Sequence, residues 1–429
     1  MNRGFKKHFS RLLSPIVEIE EDEIPRVAAA ALAIFLLMTS YYIVKSIRSS
    51  KFLDDFGSYY LLYTYYANAI LTLATVMLYN KLVELCQRKR LIDSVYLCVG
   101  SVFTGIWLLD ALGFYPKLLT VAIYFVVCVY ILVLTSLLWS LIHDMFESNE
   151  AKRLYALILL SAQGGVFAGG KLTKHFINVR GYSTMELIPI SLIFLLATYI
   201  SVCYLESFKA KKKTSPPKKS TGSLGDLSNL LKSPYARLIA LLVIFSTFGV
   251  TLVDWQMNKL IETELSSADA KTAFIGGWYS NMSIMNIVFL LLAGRIIASF
   301  GPGFALSWLP LSVILASIAR ISDCSLSTMA FFWILSQSMN YTFYNAGKEN
   351  LYVPTERDFR YKFKAIIDAA GYRFGDASGA TATLLYIHFI SATWTAGAAL
   401  ITFLVGIVWL PTIYFTQKRY KIAVASREG

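Results

Sequence analysis

The feature that most constrains this chain is its succession of long apolar runs. A helix that crosses a bilayer needs roughly 20 mostly apolar residues. Such runs lie near 27–46, 57–79, 93–113, 116–142, 154–174 and 185–206, and again near 236–256, 273–299, 303–320, 326–346, 365–388 and 392–415. Hydrophobic residues make up 56% of the 429 positions and charged residues only 16%. A soluble domain keeps about a quarter of its residues charged, so water would not solvate this surface. The expected fold is an all-α membrane protein with about twelve transmembrane helices in two six-helix halves.

One break divides the runs. Residues 207–235 hold Lys209, Lys211, Lys212, Lys213, Pro216, Pro217, Lys218 and Lys219. The stretch is basic, rich in Pro and Ser and poor in apolar residues, which predicts a flexible linker. A short amphipathic piece, Leu224 to Leu231, is placed at the interface. The expected organisation is a cytoplasmic segment 1–26, a half at 27–206, the linker 207–235, a half at 236–416 and a tail at 417–429. The first apolar run starts only after Arg3, Lys6, Lys7, Arg11 and an acidic patch from Glu18 to Glu23, so the N-terminus does not read as a cleavable signal.

Charge sets the orientation. The formal net charge is +13, which in a soluble protein would suggest nucleic acid. Here it reads as the positive-inside bias. With both termini cytoplasmic, the inner loops hold Lys81, Arg88, Lys89, Arg90, Lys152, Arg153, the linker lysines, Arg357, Arg360, Lys362 and Lys364, and the tail adds Lys418, Arg419 and Lys421. The partners expected are a lipid bilayer and a small-molecule substrate, with no nucleic acid. Cys86, Cys98, Cys128, Cys203 and Cys324 lack paired or metal-type spacing and are expected as buried thiols. No phosphate-cradling glycine loop, metal cluster or nucleophile–base motif stands out, so no cofactor, no metal and no enzymatic activity are expected. Two six-helix halves joined by a basic loop is the layout of major-facilitator transporters, which bind substrate between the halves.

Charges within apolar spans are costly and so mark function. The first run ends in Lys45 and Arg48, three apart on one helix face. They would either attract an anion or snorkel to headgroups. The fourth run ends in His143 and Asp144, placed to carry a proton, to pair with a base of another helix or simply to be solvated. The seventh holds Asp254 and Lys259, five apart and so not a direct pair. The eleventh holds Asp368, Arg373 and Asp376, of which Arg373 and Asp376 have pairing distance and Asp376 is the leading candidate for proton coupling. Asn281 and Asn340 add polar groups. The candidate substrate contacts are Lys45, Arg48, Asp144, Asp254, Lys259, Asn281, Asn340 and Asp376. The candidate proton-coupling or gating groups are His143, Asp368, Arg373 and Asp376. Tyr59, Tyr60, Tyr63, Tyr65 and Tyr66 fit an interfacial aromatic belt better than a ring-stacking site. The glycines from Gly164 to Gly170 allow close helix approach.

Three stretches resemble the nucleotide transporter family of plastids and intracellular bacteria, the ATP/ADP translocase type with a major-facilitator-like fold. They are Glu150-Ala151-Lys152-Arg153-Leu154-Tyr155, then Leu351-Tyr352-Val353-Pro354-Thr355 followed by Tyr361-Lys362-Phe363-Lys364-Ala365-Ile366-Ile367-Asp368, and Val44-Lys45-Ser46-Ile47-Arg48-Ser49 in the first run. The resemblance implies exchange of nucleotides in a bacterial inner membrane. It puts Arg48 in the place of a lysine that holds substrate phosphate, and Asp144 in the place of an acidic residue. Where the family shows Gly-Lys-Ser-Gly-Gly, this chain has Gly375-Asp376-Ala377-Ser378-Gly379, which inverts the local charge and would repel a triphosphate.

Three functions follow as expectations. The first is a secondary transporter of an anionic or zwitterionic metabolite, with a nucleotide as candidate. The second is a proton-coupled transporter of a non-nucleotide solute, and the third a membrane scaffold or receptor with the linker as docking segment.

Overall fold

The computed structural model describes residues 20, 23–146, 148–208, 233–355, 364, 367–391 and 395–428. These form α1 (Ile24–Leu85), α2 (Arg88–Ala111), α3 (Pro116–Met145), α4 (Ser148–Asn178), α5 (Leu187–Glu206), α6 (Pro234–Glu264), α7 (Ala268–Phe300) and α8 (Pro302–Ile321). There follow α9 (Leu326–Met339), a π-helical turn (Asn340–Tyr344), α10 (Asn345–Leu351), a second π-helical turn (Ile367–Gly371), α11 (Tyr372–Phe389) and α12 (Thr395–Glu428). No strand occurs among the described residues. Nine of the described helices are long and apolar enough to cross a membrane. The other expected runs are accounted for locally: α1 covers the first two, and the tenth and eleventh are each interrupted by a π-helical turn. The linker lysines, the piece Leu224 to Leu231 and most of the first 22 residues lie outside the described residues.

α1 departs from expectation. Its 62 residues would extend about 93 Å as a straight helix, against about 30 Å of hydrocarbon. The break is Gly57, at φ 81° and ψ 171°, a backbone region that only glycine occupies readily. The first arm therefore continues beyond Lys51 to the kink. α12 likewise runs on past 416 through the expected tail.

The chain divides into two compact units. The first takes Met1–Asp55, Ile70–Pro217 and Ser267–Ser283; the second takes Phe56–Ala69, Lys218–Ser266 and Ile284–Gly429. The chain thus changes unit beside the Gly57 kink and again at the α6–α7 turn, and not only in the linker.

In the first unit, one core joins Leu37, Ile43, Ile47, Phe103, Val127 and Leu134, all nearly inaccessible. The glycine run of α4 packs as its spacing suggests. A Cβ on Gly169 would lie 2.6 Å from the Thr39 carbonyl, and one on Gly276 of α7 would lie 2.8 Å from Thr173. The Glu150–Tyr155 stretch closes this unit at the start of α1. Arg153 meets Glu23 at 2.8 Å, and Arg26 reaches Glu150 at 3.5 Å and the Met145 carbonyl at 3.0 Å.

In the second unit, Trp409 and Tyr344 are fully buried, with Trp409 stacked on Phe245. Gln256 donates to Thr402 at 2.7 Å, tying α6 to α12. α11 seats on α6 through glycines: a Cβ on Gly379 would lie 3.1 Å from the Phe248 carbonyl, and one on Gly375 would overlap Thr247.

The cysteines differ from the expectation of buried thiols. All five are free, but Cys86 and Cys98 are exposed, and the other three are half-buried. In a membrane helix an outward face is apolar, so an apolar thiol is not thereby interior.

Candidate functional site

The first unit carries a cationic site on α1. Lys45 and Arg48 lie well inside the first arm, about two to three turns short of the Gly57 kink. The Lys45 ammonium sits 4.6 Å from the Tyr279 ring centre and 4.8 Å from that of Tyr42, and those two rings meet edge to face at 4.9 Å. The Arg48 guanidinium lies 4.7 Å over Tyr124 of α3 and donates to the Cys128 thiol at 2.9 Å. Aromatic faces attract cations through their quadrupoles, so the rings hold both charges inward. Arg48 Nε is inaccessible and has no hydrogen-bond partner among the described residues. A buried donor in this state is the kind that a bound oxygen would satisfy. Between snorkelling and an inward-facing pair, the geometry supports the inward one.

Asp144 and His143 are not brought to this place. Asp144 lies 16 residues beyond Cys128 on α3 (144 − 128), roughly 24 Å along the helix. There it forms an ion pair with Arg88 at 2.6 Å. His143 is exposed, packed at 5.7 Å from Trp139 and 5.5 Å from Tyr155. Asn281, near the middle of α7, is exposed.

Charges outside the apolar runs surround the end of the first arm. Lys271 donates to Asp54 at 2.6 Å, Lys51 meets Asp55 at 3.6 Å, and Thr120 donates to Asp55. Ser50 and Thr272 share a hydrogen bond, and Asp269 accepts from Thr184 at 2.5 Å. Ser50, Lys51, Asp54 and Asp55 fall between the first two apolar runs, and Asp269, Lys271 and Thr272 between the seventh and eighth, where hydropathy alone suggests a loop. The Lys51–Asp55 spacing of four is the signal that the helix continues.

The second unit carries carboxylates. Asp254 of α6 accepts from the Trp333 indole and from Gln337 at 2.8 Å, both on α9. Thr251, one turn earlier on the same face, donates to Asp376 of α11 at 3.4 Å. Arg373 pairs with Asp376 at 3.7 Å. Both carboxylates therefore adjoin one face of α6. Lys259 does not join them; it bonds to Glu262 at 3.3 Å. Glu262, unremarked in the sequence, also accepts from Ser58 N at 3.2 Å and Ser58 Oγ at 2.5 Å, immediately after the kink. Asn340 opens the first π-helical turn and is half-buried. Asp368 lies in the second, its side chain outside the described residues.

Lys348, which no apolar run contains, is only 4% exposed. It donates to the Tyr372 hydroxyl at 2.8 Å, and that hydroxyl donates to Asn345 at 3.3 Å. The tenth apolar run ends before it, but the helix passes through a π-helical turn and continues. Such turns re-aim the side chains that follow and cluster at functional sites. Among the belt tyrosines, Tyr59, Tyr60 and Tyr63 are exposed and pack on one another, while Tyr66 bonds to Thr381 at 2.7 Å.

Long apolar helices, with charges kept inside two helical units, define a polytopic α-helical membrane protein. Solved transporters share this architecture. The nucleoside transporter NupG aligns with a TM-score of 0.66 at 11% identity over 92% of this chain and 99% of its own. A POT family transporter in complex with 5-aminolevulinic acid aligns at 0.63 and 10% identity over 90% and 96%. The chain belongs to the TLC ATP/ADP transporter family, whose model matches residues 119–330 and 326–420. ADP,ATP carrier protein 1 of Chlamydia trachomatis is 24% identical over 345 aligned positions, covering 69% of this chain and 64% of that protein. The chain therefore spans just under two thirds of that relative's length. ADP,ATP carrier protein 1 of Rickettsia typhi is 22% identical and aligns over 99% of both chains.

Proposed function

We propose that this protein is a secondary transporter that moves an anionic metabolite across a membrane by alternating access, with a nucleotide exchanged for a nucleotide as the candidate cargo. The observation that carries the reading is the Lys45–Arg48 pair. Two cations inside one apolar helix, set among tyrosine rings and with one buried N–H of Arg48 unpartnered, suit a phosphate or carboxylate attached to a flat ring. Arg offers a fork for such an oxyanion and Lys a point charge. The names of the relatives, ADP,ATP carriers, supply the nucleotide. The test is uptake of labelled ATP or ADP by proteoliposomes loaded with unlabelled nucleotide, for the unaltered protein and for Arg48→Gln. Loaded-vesicle uptake that vanishes in the variant supports the reading. Uptake unaffected by the substitution sinks the site.

One observation favours a second reading, proton-coupled transport of a non-nucleotide solute. Asp376 is half-buried beside Thr251 and Arg373, where a carboxylate would oppose a triphosphate. Uptake into empty vesicles driven by an imposed pH gradient, and lost in Asp376→Asn, would select it over exchange. The reading places the protein in a bacterial inner membrane with both termini cytoplasmic, so protease should cut the lysine linker in inverted membrane vesicles and spare it in right-side-out ones.

A further inference from the structure

We propose that the second unit binds an anionic phospholipid in a groove between α6 and α12. The groove has a volume of about 610 Å³. From α6 it is lined by Pro234, Arg237, Leu238 and Leu241, and from α12 by Phe415, Lys418, Arg419 and Ile422. Each set follows the spacing i, i+3, i+4, i+7, so each helix offers one continuous face.

The two helices run antiparallel. Gly249 packs against Trp409, and Gln256 bonds to Thr402, so residue numbers rise on one helix as they fall on the other. The same register sets Arg237 level with the turn that follows Lys418 and Arg419, at the outer end of the groove. It sets Leu241 level with Phe415, deeper along the helices. Three exposed cations therefore lie within about one helical turn of one another along the groove, with Pro234 and Ile422 flanking them at its outer end and Leu241 and Phe415 deeper. Below Phe415 the outer face of α12 stays apolar through Val408 and Leu404, both more than half exposed.

This order matches one ligand chemistry. A phosphate diester fits the three cations, and acyl chains fit the apolar face that continues inward. Free phosphate would use only the first part, and a neutral lipid only the second. Basic clusters at the ends of spanning helices gain several-fold in affinity per cation from anionic lipid.

The experiment uses the purified full chain, stripped of lipid in a neutral detergent. Its thermal midpoint is measured with phosphatidylglycerol, phosphatidylcholine or inorganic phosphate. Phosphatidylglycerol alone should raise the midpoint. The triple variant R237Q/K418Q/R419Q should bind it roughly a hundredfold more weakly, as three such cations predict. The control K81Q/K89Q/R90Q removes as many exposed charges from the first unit and should keep the response. As a second measurement, native mass spectrometry of the unaltered protein should show phosphatidylglycerol retained over phosphatidylcholine. Equal responses to the two lipids, a response to inorganic phosphate alone, or equal losses in both triple variants would overturn the proposal.

Discussion

The two units place charge inside apolar helices in opposite ways. The first holds cations, Lys45 and Arg48, on an unbroken helical arm and cushions them with tyrosine faces. The second holds carboxylates, Asp254 and Asp376, and satisfies them with directed donors from Trp333, Gln337 and Thr251. Its tenth and eleventh runs are both interrupted by π-helical turns. At Arg48 the cation–ring contact leaves one N–H group over for a ligand. Asp254, which accepts from both Trp333 and Gln337, is already largely saturated. The comparison predicts that the first unit supplies most of the binding strength for an anion, and that the second tunes selectivity and coupling.

The sharpest way to break this contrast is to neutralise each side. Arg48→Gln should lower substrate affinity about tenfold to a hundredfold, because hydrogen bonds to a charged group are worth about 1.5–3 kcal/mol. Asp254→Asn should change affinity by less. If titration of labelled substrate showed the reverse order, the division of labour would be wrong. Next in size are the helix seams. Gly375→Ala drives a methyl group into Thr247, and overpacking costs about 1–3 kcal/mol, so thermal unfolding should shift down clearly. Gly165→Ala would set its Cβ 2.8 Å from Met38 in the first unit, and a comparable shift would show both units to be equally unyielding. A smaller loss is expected at the kink. Gly57→Ala forces a residue with a side chain into a glycine-only conformation at about 1–3 kcal/mol and brings its Cβ within 2.7 Å of a Glu262 carboxylate oxygen. That oxygen is at the end of a flexible side chain, so the lower half of the range should be observed. The smallest effect belongs to Arg88→Gln. Its pair with Asp144 is 38% exposed on the Arg side, and such pairs are worth at most about 1 kcal/mol. Denaturation that shifted strongly in this variant would mean that Asp144 holds more than the end of α3.

Much of this was legible in the sequence, for a physical reason. Bilayer thickness imposes a run length, and the apolar runs therefore locate the helices even where their ends are misjudged. Lys45, Arg48, Asp254 and Asp376 stood out because a charge within such a run is costly. What was hidden lies just outside the runs. Asp54, Asp55, Lys271, Glu262 and Lys348 end a hydropathy window, so they read as loop residues. The backbone nevertheless continues helical through them, because each charge finds a partner on another helix. Arg88 as the partner of Asp144, 56 residues away (144 − 88), could not be read from spacing at all. The π-helical turns left no sequence mark: an inserted residue in a helix changes no composition.

The Arg48–Cys128 contact gives the molecule a chemical reporter of its own. The thiol sits 2.9 Å from the guanidinium that the proposed anion would engage. In a variant that keeps only this cysteine, the rate of maleimide modification becomes a direct readout of occupancy, without any transport assay. A solute that slows alkylation in proportion to its concentration identifies itself as a ligand, and the half-protecting concentration is its dissociation constant. Screening a chemical library against that one rate would find the cargo without first guessing its class.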